Sequence, residues 1–99
     1  MLETLEEMTA ASVQRVDLND RELMLVRLAG LVATEASPAS YFVNAGPAIE
    51  SGISLEDARS VLIALAPIVG GPRVVFGAEA MTTALGYALA IDAALADEA

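Results

Sequence analysis

The sequence predicts an all-α protein, a single domain of about five helices. Three observations lead to this prediction. Capping patterns precede three of the apolar segments, Gly and Pro residues separate the segments, and no apolar–polar alternation is long enough to compete as a β-strand. A chain of 99 residues has the size of one small domain, so residues 1–99 are predicted to fold as one unit.

The first two helices are predicted from amphipathic spacing and from a capping box. Residues 1–16 have the pattern of an N-terminal amphipathic helix whose opening turn is acidic, as the helix dipole favours. Asn19, followed three residues later by Glu22, matches a capping box, in which each side chain accepts a hydrogen bond from the other residue's backbone. A second helix is therefore predicted to run from this box to about Thr34.

The third helix is predicted to begin after Ser37, because Pro38 suits the first helical position. The same helix is predicted to stop at Gly52. Pro47 lies inside it and has no N–H to donate, so the carbonyl of Val43 loses its helical hydrogen bond. We expect a kink at this point.

Turn residues define the fourth and fifth helices. Ser54 with Asp57 forms a second capping pattern, and the helix that follows is predicted to be bent or ended by Pro67. Residues 70–72, Gly-Gly-Pro, form a tight break. A long fifth helix then reaches about Ala96.

Two segments of these helices are apolar on almost every side. They are residues 61–69 and 80–95, and the second contains a stripe of small residues, Ala80, Ala84 and Ala88, that lets another helix approach closely. A chain this short has too little mass to surround two such helices, so we expect a homo-oligomer whose subunits complete each other's core. The alternative is a monomer with one fully buried central helix.

The charge and the missing residue types exclude several functions. The net charge of -9 argues against a nucleic-acid partner and against binding to an anionic membrane. The acidic N-terminus does not match a secretion signal, so a cytoplasmic location is expected. Cys, His and Lys are absent, which excludes thiol and Schiff-base chemistry and the usual zinc ligands, and neither a cofactor nor a metal is predicted.

One known family shares several short features with this chain in the same order. They are an Arg21-Glu22-Leu23 opening, a helix that ends in Glu50-Ser51-Gly52, an acidic cap after Ile53, and the break Ala66-Pro67-x-x-Gly70-x-Pro72. The chain therefore resembles the carboxymuconolactone decarboxylase family, which includes the alkylhydroperoxidase D-like proteins, over about two thirds of its length. The resemblance implies an alkylhydroperoxidase D-like helical domain that forms trimers or hexamers.

The resemblance also locates a site. The redox branch of the family has Cys-x-x-Cys followed by a His, and counting back from the Gly that ends the helix places these residues at Ser37, Ser40 and Asn44. The carboxylate of the proton relay falls near Leu25. Because no thiol or imidazole stands at these positions, thiol peroxidase activity is not expected. The decarboxylase branch also lacks the cysteine pair, although its His is expected where Asn44 stands.

Five residues are candidate ligand-binding groups. Ser37, Ser40 and Asn44 are predicted to share one helix face and to bind a small ligand, unless Ser37 is only a cap and Asn44 only satisfies carbonyls that Pro47 leaves unbonded. Arg27 stands among apolar residues, where it binds either a ligand carboxylate or a carboxylate of the protein, within one subunit or across a subunit contact. Arg73, at the start of the fifth helix, is a candidate anion ligand, although Gly-Gly-Pro is first of all a turn.

Catalytic residues are harder to assign, and the candidates are Glu35, Glu79 and Tyr41. Burial would raise the pKa of Glu35 or Glu79 and suit that carboxylate to acid–base catalysis, unless it pairs with Arg27, Arg59 or Arg73. Two functions follow. The first is a homo-oligomeric protein without redox chemistry that binds a small ligand or is purely structural. The second is a lyase that decarboxylates a small carboxylated, lactone-like compound.

Overall fold

Five helices form the protein, and the all-α prediction is confirmed. The computed structural model describes residues 1–98, and this range contains no β-strand. The helices are α1 (Leu2–Arg15), α2 (Asp20–Ala33), α3 (Pro38–Glu50), α4 (Leu55–Val69) and α5 (Gly71–Glu98). Their order and approximate bounds follow the predicted caps and breaks.

Both predicted capping boxes are present. The backbone N–H of Asn19 donates to Glu22 at 2.9 Å, and that of Glu22 donates to the side chain of Asn19 at 2.8 Å. Ser54 and Asp57 make the equivalent pair of bonds at the start of α4. Ser37 is the N-cap residue of α3, but its side chain makes no capping hydrogen bond, so the fixed backbone angle of the proline that follows is what favours this helix start.

The two internal prolines do not end their helices. Pro47 lies within α3, which continues to Glu50, and Pro67 lies within α4, which continues to Val69. Of the two alternatives predicted for Pro67, the end of α4 at this residue is wrong, because a proline removes only one helical hydrogen bond and the helix continues for two more residues. Gly52 follows α3 with a φ of 84°, a left-handed conformation that favours glycine.

The core lies where α5 crosses the other helices. α5 packs against α2, α3 and α4, and its largest contact is with α3. The bulkiest fully buried side chains come from α2, α3 and α5, namely Leu28, Val32, Tyr41, Met81 and Leu85. These side chains belong to one hydrophobic cluster, to which α4 adds Ala58.

Small residues allow α5 to approach its neighbours closely. A Cβ atom added to Gly77 would lie 2.9 Å from Cγ2 of Val32, so α2 and α5 meet at the glycine itself. Ala84 of the predicted small-residue stripe is buried in the same cluster as Ala45 and Ala48 of α3. The helix that approaches this stripe therefore belongs to the same chain.

α1 is attached differently from the other helices. None of its residues is buried, and its apolar side chains are exposed, among them Leu2, Leu5, Met8 and Val13. The remaining helices, and Ile53 in the loop between α3 and α4, supply every buried residue of the core cluster. The predicted amphipathic helix is therefore present as a layer on the surface of a four-helix body.

An ion pair joins the beginnings of α2 and α4. The guanidinium of Arg21 donates to both oxygens of Asp57, at 2.9 and 2.8 Å, and to the carbonyl of Gly52 at 3.1 Å. Hydrogen bonds from Arg21, and others from Ser54, hold the pKa of Asp57 well below its usual range. The pKa of Arg21 is raised by the same pair. Asp57 thus favours the folded state only while it is ionised.

Acid is therefore expected to weaken the fold through this carboxylate. A carboxyl group whose pKa is lower in the folded state stabilises it fully above its unfolded pKa, about 3.9, and the benefit is lost as pH falls further through the folded pKa. We expect Asp57→Asn to lower the Tm by several degrees at pH 7, with the difference from the wild type shrinking below about pH 4. Thermal melts monitored by circular dichroism between pH 2 and 7 measure this.

Glu56→Gln is the matched control for this prediction. Glu56 neighbours Asp57 in the first turn of α4 but takes part in no ion pair among residues 1–98. This variant leaves the Arg21–Asp57 pair intact and is expected to follow the wild-type acid profile. A constant Tm difference between Asp57→Asn and the wild type down to pH 2 would contradict the assignment.

Candidate functional site

A groove between α1, α2 and α3 contains two of the predicted ligand-binding residues. Its volume is about 420 Å³. Arg27 and Asn44 contribute charge and an amide, and Thr9 and Ser12 contribute hydroxyls. The remaining lining is apolar or glycine: Leu5, Met8, Gly30, Leu31 and Val43. A volume of this size falls within the range of small-molecule sites, roughly 300–1,000 Å³.

Arg27 forms no salt bridge with the residues that the structure describes. It lies on α2 between the buried residues Met24 and Leu28, which places it at the edge of the core with its side chain partly buried. Within residues 1–98 no carboxylate forms a salt bridge with it, so the predicted pairing with a protein carboxylate is not found there. Its guanidinium can therefore donate to a bound molecule.

Asn44 presents the second polar group of the groove. Its Nδ2 atom donates to the carbonyl of Ser40 at 2.9 Å. This bond fixes the side chain on α3, leaving the second amide hydrogen and Oδ1 available. The alternative in which Asn44 satisfies the carbonyl of Val43, left unbonded by Pro47, is wrong, because the amide reaches back one full turn from its own position.

Ser37 and Ser40 are neighbours outside the groove. Their hydroxyl oxygens are 3.4 Å apart at the start of α3, and neither residue lines the cavity with Arg27. The helical spacing predicted from the sequence therefore joins Ser40 to Asn44 only through the backbone carbonyl of Ser40, and not through its hydroxyl. Of the three positions at which the resemblance implies Cys, Cys and His, Asn44 alone lines this groove.

Arg73 and Glu35 satisfy each other. Arg73 donates to the carbonyl of Ala33 at 2.7 Å, and its Nε lies 3.6 Å from Glu35 Oε1. Glu35 has a left-handed φ of 52°, which is unusual for a residue with a side chain. The pairing of Glu35 with an arginine was one of the two sequence-based alternatives. Together the two residues join the end of α2 to the start of α5 and lie outside the groove.

Glu79 and Tyr41 occupy two further environments. Glu79 lines a separate groove of about 250 Å³ with Phe42 and Phe76, and it forms no salt bridge with any residue from 1 to 98. Tyr41 is only 1% exposed, and its hydroxyl has no hydrogen-bond partner within the described chain. Burial raises the pKa of the Tyr41 phenol, which keeps it protonated.

The residues that sequence reasoning missed lie on α1. Leu5, Met8, Thr9 and Ser12 follow the spacing i, i+3, i+4, i+7 that places them on one helix face, and that face forms one wall of the groove. A third groove, of about 400 Å³, lies between α3 and α5. Phe42 and Tyr87 line it, with their rings edge to face at 5.8 Å.

Within residues 1–98, no three carboxylates lie close enough together to hold a metal ion. One helical stretch, Gly71–Ala96, is long and apolar enough to cross a membrane by length and composition. Comparisons with protein-family models, curated proteins and solved structures find no match to this chain.

Proposed function

We propose that this protein binds a small amphiphilic carboxylate, without redox chemistry, in the groove between α1, α2 and α3. One observation carries the proposal: Arg27 lines the same groove as Asn44 and pairs with no carboxylate of residues 1–98. Arg27 is partly buried, and a ligand carboxylate would supply the counter-ion that its charge lacks among these residues.

The polar and the apolar residues of the groove both suit such a ligand. Arg27 can donate two parallel hydrogen bonds to a carboxylate, and Asn44 has an amide hydrogen free to donate a third. Leu5, Met8 and Val43 provide apolar surface for a hydrocarbon chain, whose transfer from water contributes roughly 25 cal/mol per Å². The combination favours a short monocarboxylic acid over a highly charged metabolite.

The resemblance to the carboxymuconolactone decarboxylase family agrees with this proposal. In the redox branch of that family the positions of Ser37, Ser40 and Asn44 carry the reactive groups, and here Asn44 still borders a cavity of ligand size. The chain contains no Cys or His, so the scaffold would bind without the thiol chemistry of its redox branch. We therefore propose a member of this family that binds a ligand without turning it over by redox chemistry.

A lyase is the alternative function, and Glu79 is the observation in its favour. Its carboxylate lines a groove with Phe42 and Phe76 and has no arginine partner among residues 1–98. A decarboxylase of this kind needs an anion-binding group and a proton-transfer group in one cavity. Arg27 and Glu79 line different grooves, so the geometry supports binding better than catalysis.

Octanoate binding tests the proposed function. We expect isothermal titration calorimetry to detect octanoate bound to the wild type, and Arg27→Ala to weaken the affinity by roughly 10- to 100-fold, because a charged hydrogen bond contributes about 1.5–3 kcal/mol. Arg27→Lys is expected to recover only part of the affinity, since lysine cannot form the paired bonds.

Two controls separate this site from nonspecific binding. Arg59→Ala removes an exposed arginine of α4 that does not line the groove, and it is expected to leave the affinity unchanged. Octanol has the same chain without the charge and is expected to bind far more weakly. Equal binding of octanol, or an unaffected Arg27→Ala variant, would overturn the proposal. Release of carbon dioxide from a carboxylated lactone, abolished by Glu79→Gln, would establish the lyase instead.

A further inference from the structure

The groove of about 400 Å³ between α3 and α5 carries charge of the opposite sign to the groove that holds Arg27. We call it the α3–α5 groove, and its charged lining residues are Glu50 on α3 and Asp92 on α5. Neither carboxylate forms a salt bridge with any residue from 1 to 98. No arginine lines this groove, so its charge is wholly negative.

The basic residues of the chain are absent from both walls of this groove. The chain has five basic residues, of which α3 contains none and α5 contains only Arg73. Arg73 is at the start of α5, where it is occupied by Glu35 and by the carbonyl of Ala33. The two carboxylates of the groove therefore have no counter-ion among the residues that the structure describes.

Most of the remaining lining is apolar. Phe42 and Tyr87 lie edge to face with their ring centroids 5.8 Å apart, and they are 43% and 60% exposed. Ile49, Ile91 and Leu95 add aliphatic side chains, of which the last two are also exposed. Covering such surface with the hydrocarbon part of a ligand is favourable, and concave sites with mainly apolar walls and a few polar groups are typical of small-molecule binding.

The acidic and the aromatic parts of the groove lie at different ends. Pro38, at the start of α3, borders the same groove as Phe76 of α5. Glu50, at the end of α3, borders the same groove as Asp92, in the C-terminal part of α5. The two helices therefore run broadly in the same direction. Glu50 lies eight residues beyond Phe42, or about 12 Å along the helix, so the carboxylates and the aromatic pair face different parts of a bound molecule.

We propose that the α3–α5 groove binds a hydrophobic organic cation, namely a primary ammonium ion with a hydrocarbon chain. The ammonium group donates to the carboxylates of Glu50 and Asp92, and the chain lies toward Phe42 and Tyr87. An ammonium ion has three donors and no acceptor, which suits two carboxylates on neighbouring helices. The groove shares no lining residue with the one that holds Arg27, so this proposal is independent of the proposed function.

Other occupants match the charge of the groove less well. A carboxylic acid, a nucleic acid or an anionic bilayer is repelled by Glu50 and Asp92. A second copy of this chain brings its own net charge of -9 to the same carboxylates. A small cation with an apolar chain complements both the acidic and the aromatic part.

Octylammonium is the probe for this groove, because it combines a hydrocarbon chain like that of octanoate with the opposite charge. We expect isothermal titration calorimetry at low salt to detect its binding to the wild type. Glu50→Gln and Asp92→Asn are each expected to weaken the affinity about two- to fivefold, and the double variant about tenfold, as is usual for exposed ion pairs. Glu56→Gln removes an exposed carboxylate of α4 that lines none of the grooves, and it is expected to leave the affinity unchanged.

Two glycines report where each ligand binds. Gly46 lines the α3–α5 groove, and Gly30 lines the groove that holds Arg27. In amide proton–nitrogen spectra, octylammonium is expected to shift the Gly46 signal and octanoate the Gly30 signal. Arg27→Ala is expected to retain octylammonium binding, and the Glu50→Gln/Asp92→Asn variant to retain octanoate binding, so that either proposal can fail without the other.

Chain length separates the groove from a general attraction of cations to an acidic protein. Butylammonium has the same charge and a shorter chain, and it is expected to bind roughly 10- to 100-fold more weakly, because each methylene group removed from water adds to the affinity. Equal binding of the two cations, or a double variant with the affinity of the wild type, would rule the proposal out. A Gly46 signal that octylammonium leaves unshifted would do the same, and an oligomeric mass by light scattering would then assign the groove to a contact between copies.

Discussion

Replacement of Gly77 by alanine is expected to destabilise the protein, whereas the same replacement at Gly30 is expected to stabilise it. Both glycines lie inside helices, where alanine is favoured by about 1 kcal/mol. A Cβ atom at Gly77 would lie 2.9 and 3.1 Å from the two methyl carbons of Val32, and one at Gly30 would meet nothing within 4 Å. The helix propensity thus favours alanine equally at the two positions, and only the packing around the added Cβ atom differs.

The contact at Gly77 cannot relax easily. Val32 is buried in the core and, being β-branched, has one preferred rotamer in a helix, so its methyl groups cannot turn away from an added Cβ. Overpacking of this kind costs about 1–3 kcal/mol, which exceeds the helix-propensity gain. Chemical denaturation of Gly77→Ala should therefore show a lower free energy of unfolding than the wild type.

A double-mutant cycle attributes the effect to one contact. Val32→Ala alone creates a cavity and destabilises the protein. In the Val32→Ala background, however, Gly77→Ala is expected to be neutral or stabilising, which gives a coupling free energy of about 1–3 kcal/mol. Additive effects of the two substitutions would show that α2 and α5 are further apart than the structure places them.

Replacement of Tyr41 by phenylalanine is expected to stabilise the protein by about 1–3 kcal/mol, the amount that a buried hydroxyl without a partner costs. Tyr41 is 1% exposed and its hydroxyl has no partner in the described range. Phenylalanine keeps the ring and its packing while removing the unsatisfied group. The Tm is expected to rise by several degrees in a thermal melt.

Tyr87→Phe provides the control for this second prediction. Tyr87 is exposed, so the loss of its hydroxyl is expected to change the free energy of unfolding by less than about 0.5 kcal/mol. Loss of stability in Tyr41→Phe would show that the Tyr41 hydroxyl is bonded in solution. Tyr41 lies in the core and lines none of the three grooves, so proton transfer from its hydroxyl to a bound ligand is unfavourable.

The sequence was most informative about local structure. Asn19 and Ser54 are short polar residues three positions before a carboxylate, and this pattern determines a helix start without any distant contact. Both boxes therefore form as predicted. The extent of α4 beyond Pro67 was less predictable, because it depends on how many hydrogen bonds remain after the proline.

The candidate site depended on contacts that no local pattern contains. Whether Arg27 pairs with a carboxylate is decided by the packing of whole helices, and the sequence left both outcomes open. The wall that α1 contributes was missed for the same reason, although the spacing of Leu5, Met8 and Ser12 shows in retrospect which face it presents. Arg73 was a candidate anion ligand because of its place at a helix start, whereas in the structure it donates to the carbonyl of Ala33.

The loose attachment of α1 has a consequence for the timing of binding. Because this helix buries none of its residues and still forms one wall of the groove, it can lift away without disturbing the core. Backbone amides of α1 should then exchange with deuterium much faster than those around Leu28 or Leu85. For the proposed ligand, the rates of binding and release would be limited by this opening. Cleavage between Arg15 and Asn19 would then speed ligand release and leave the Tm of the four-helix body unchanged.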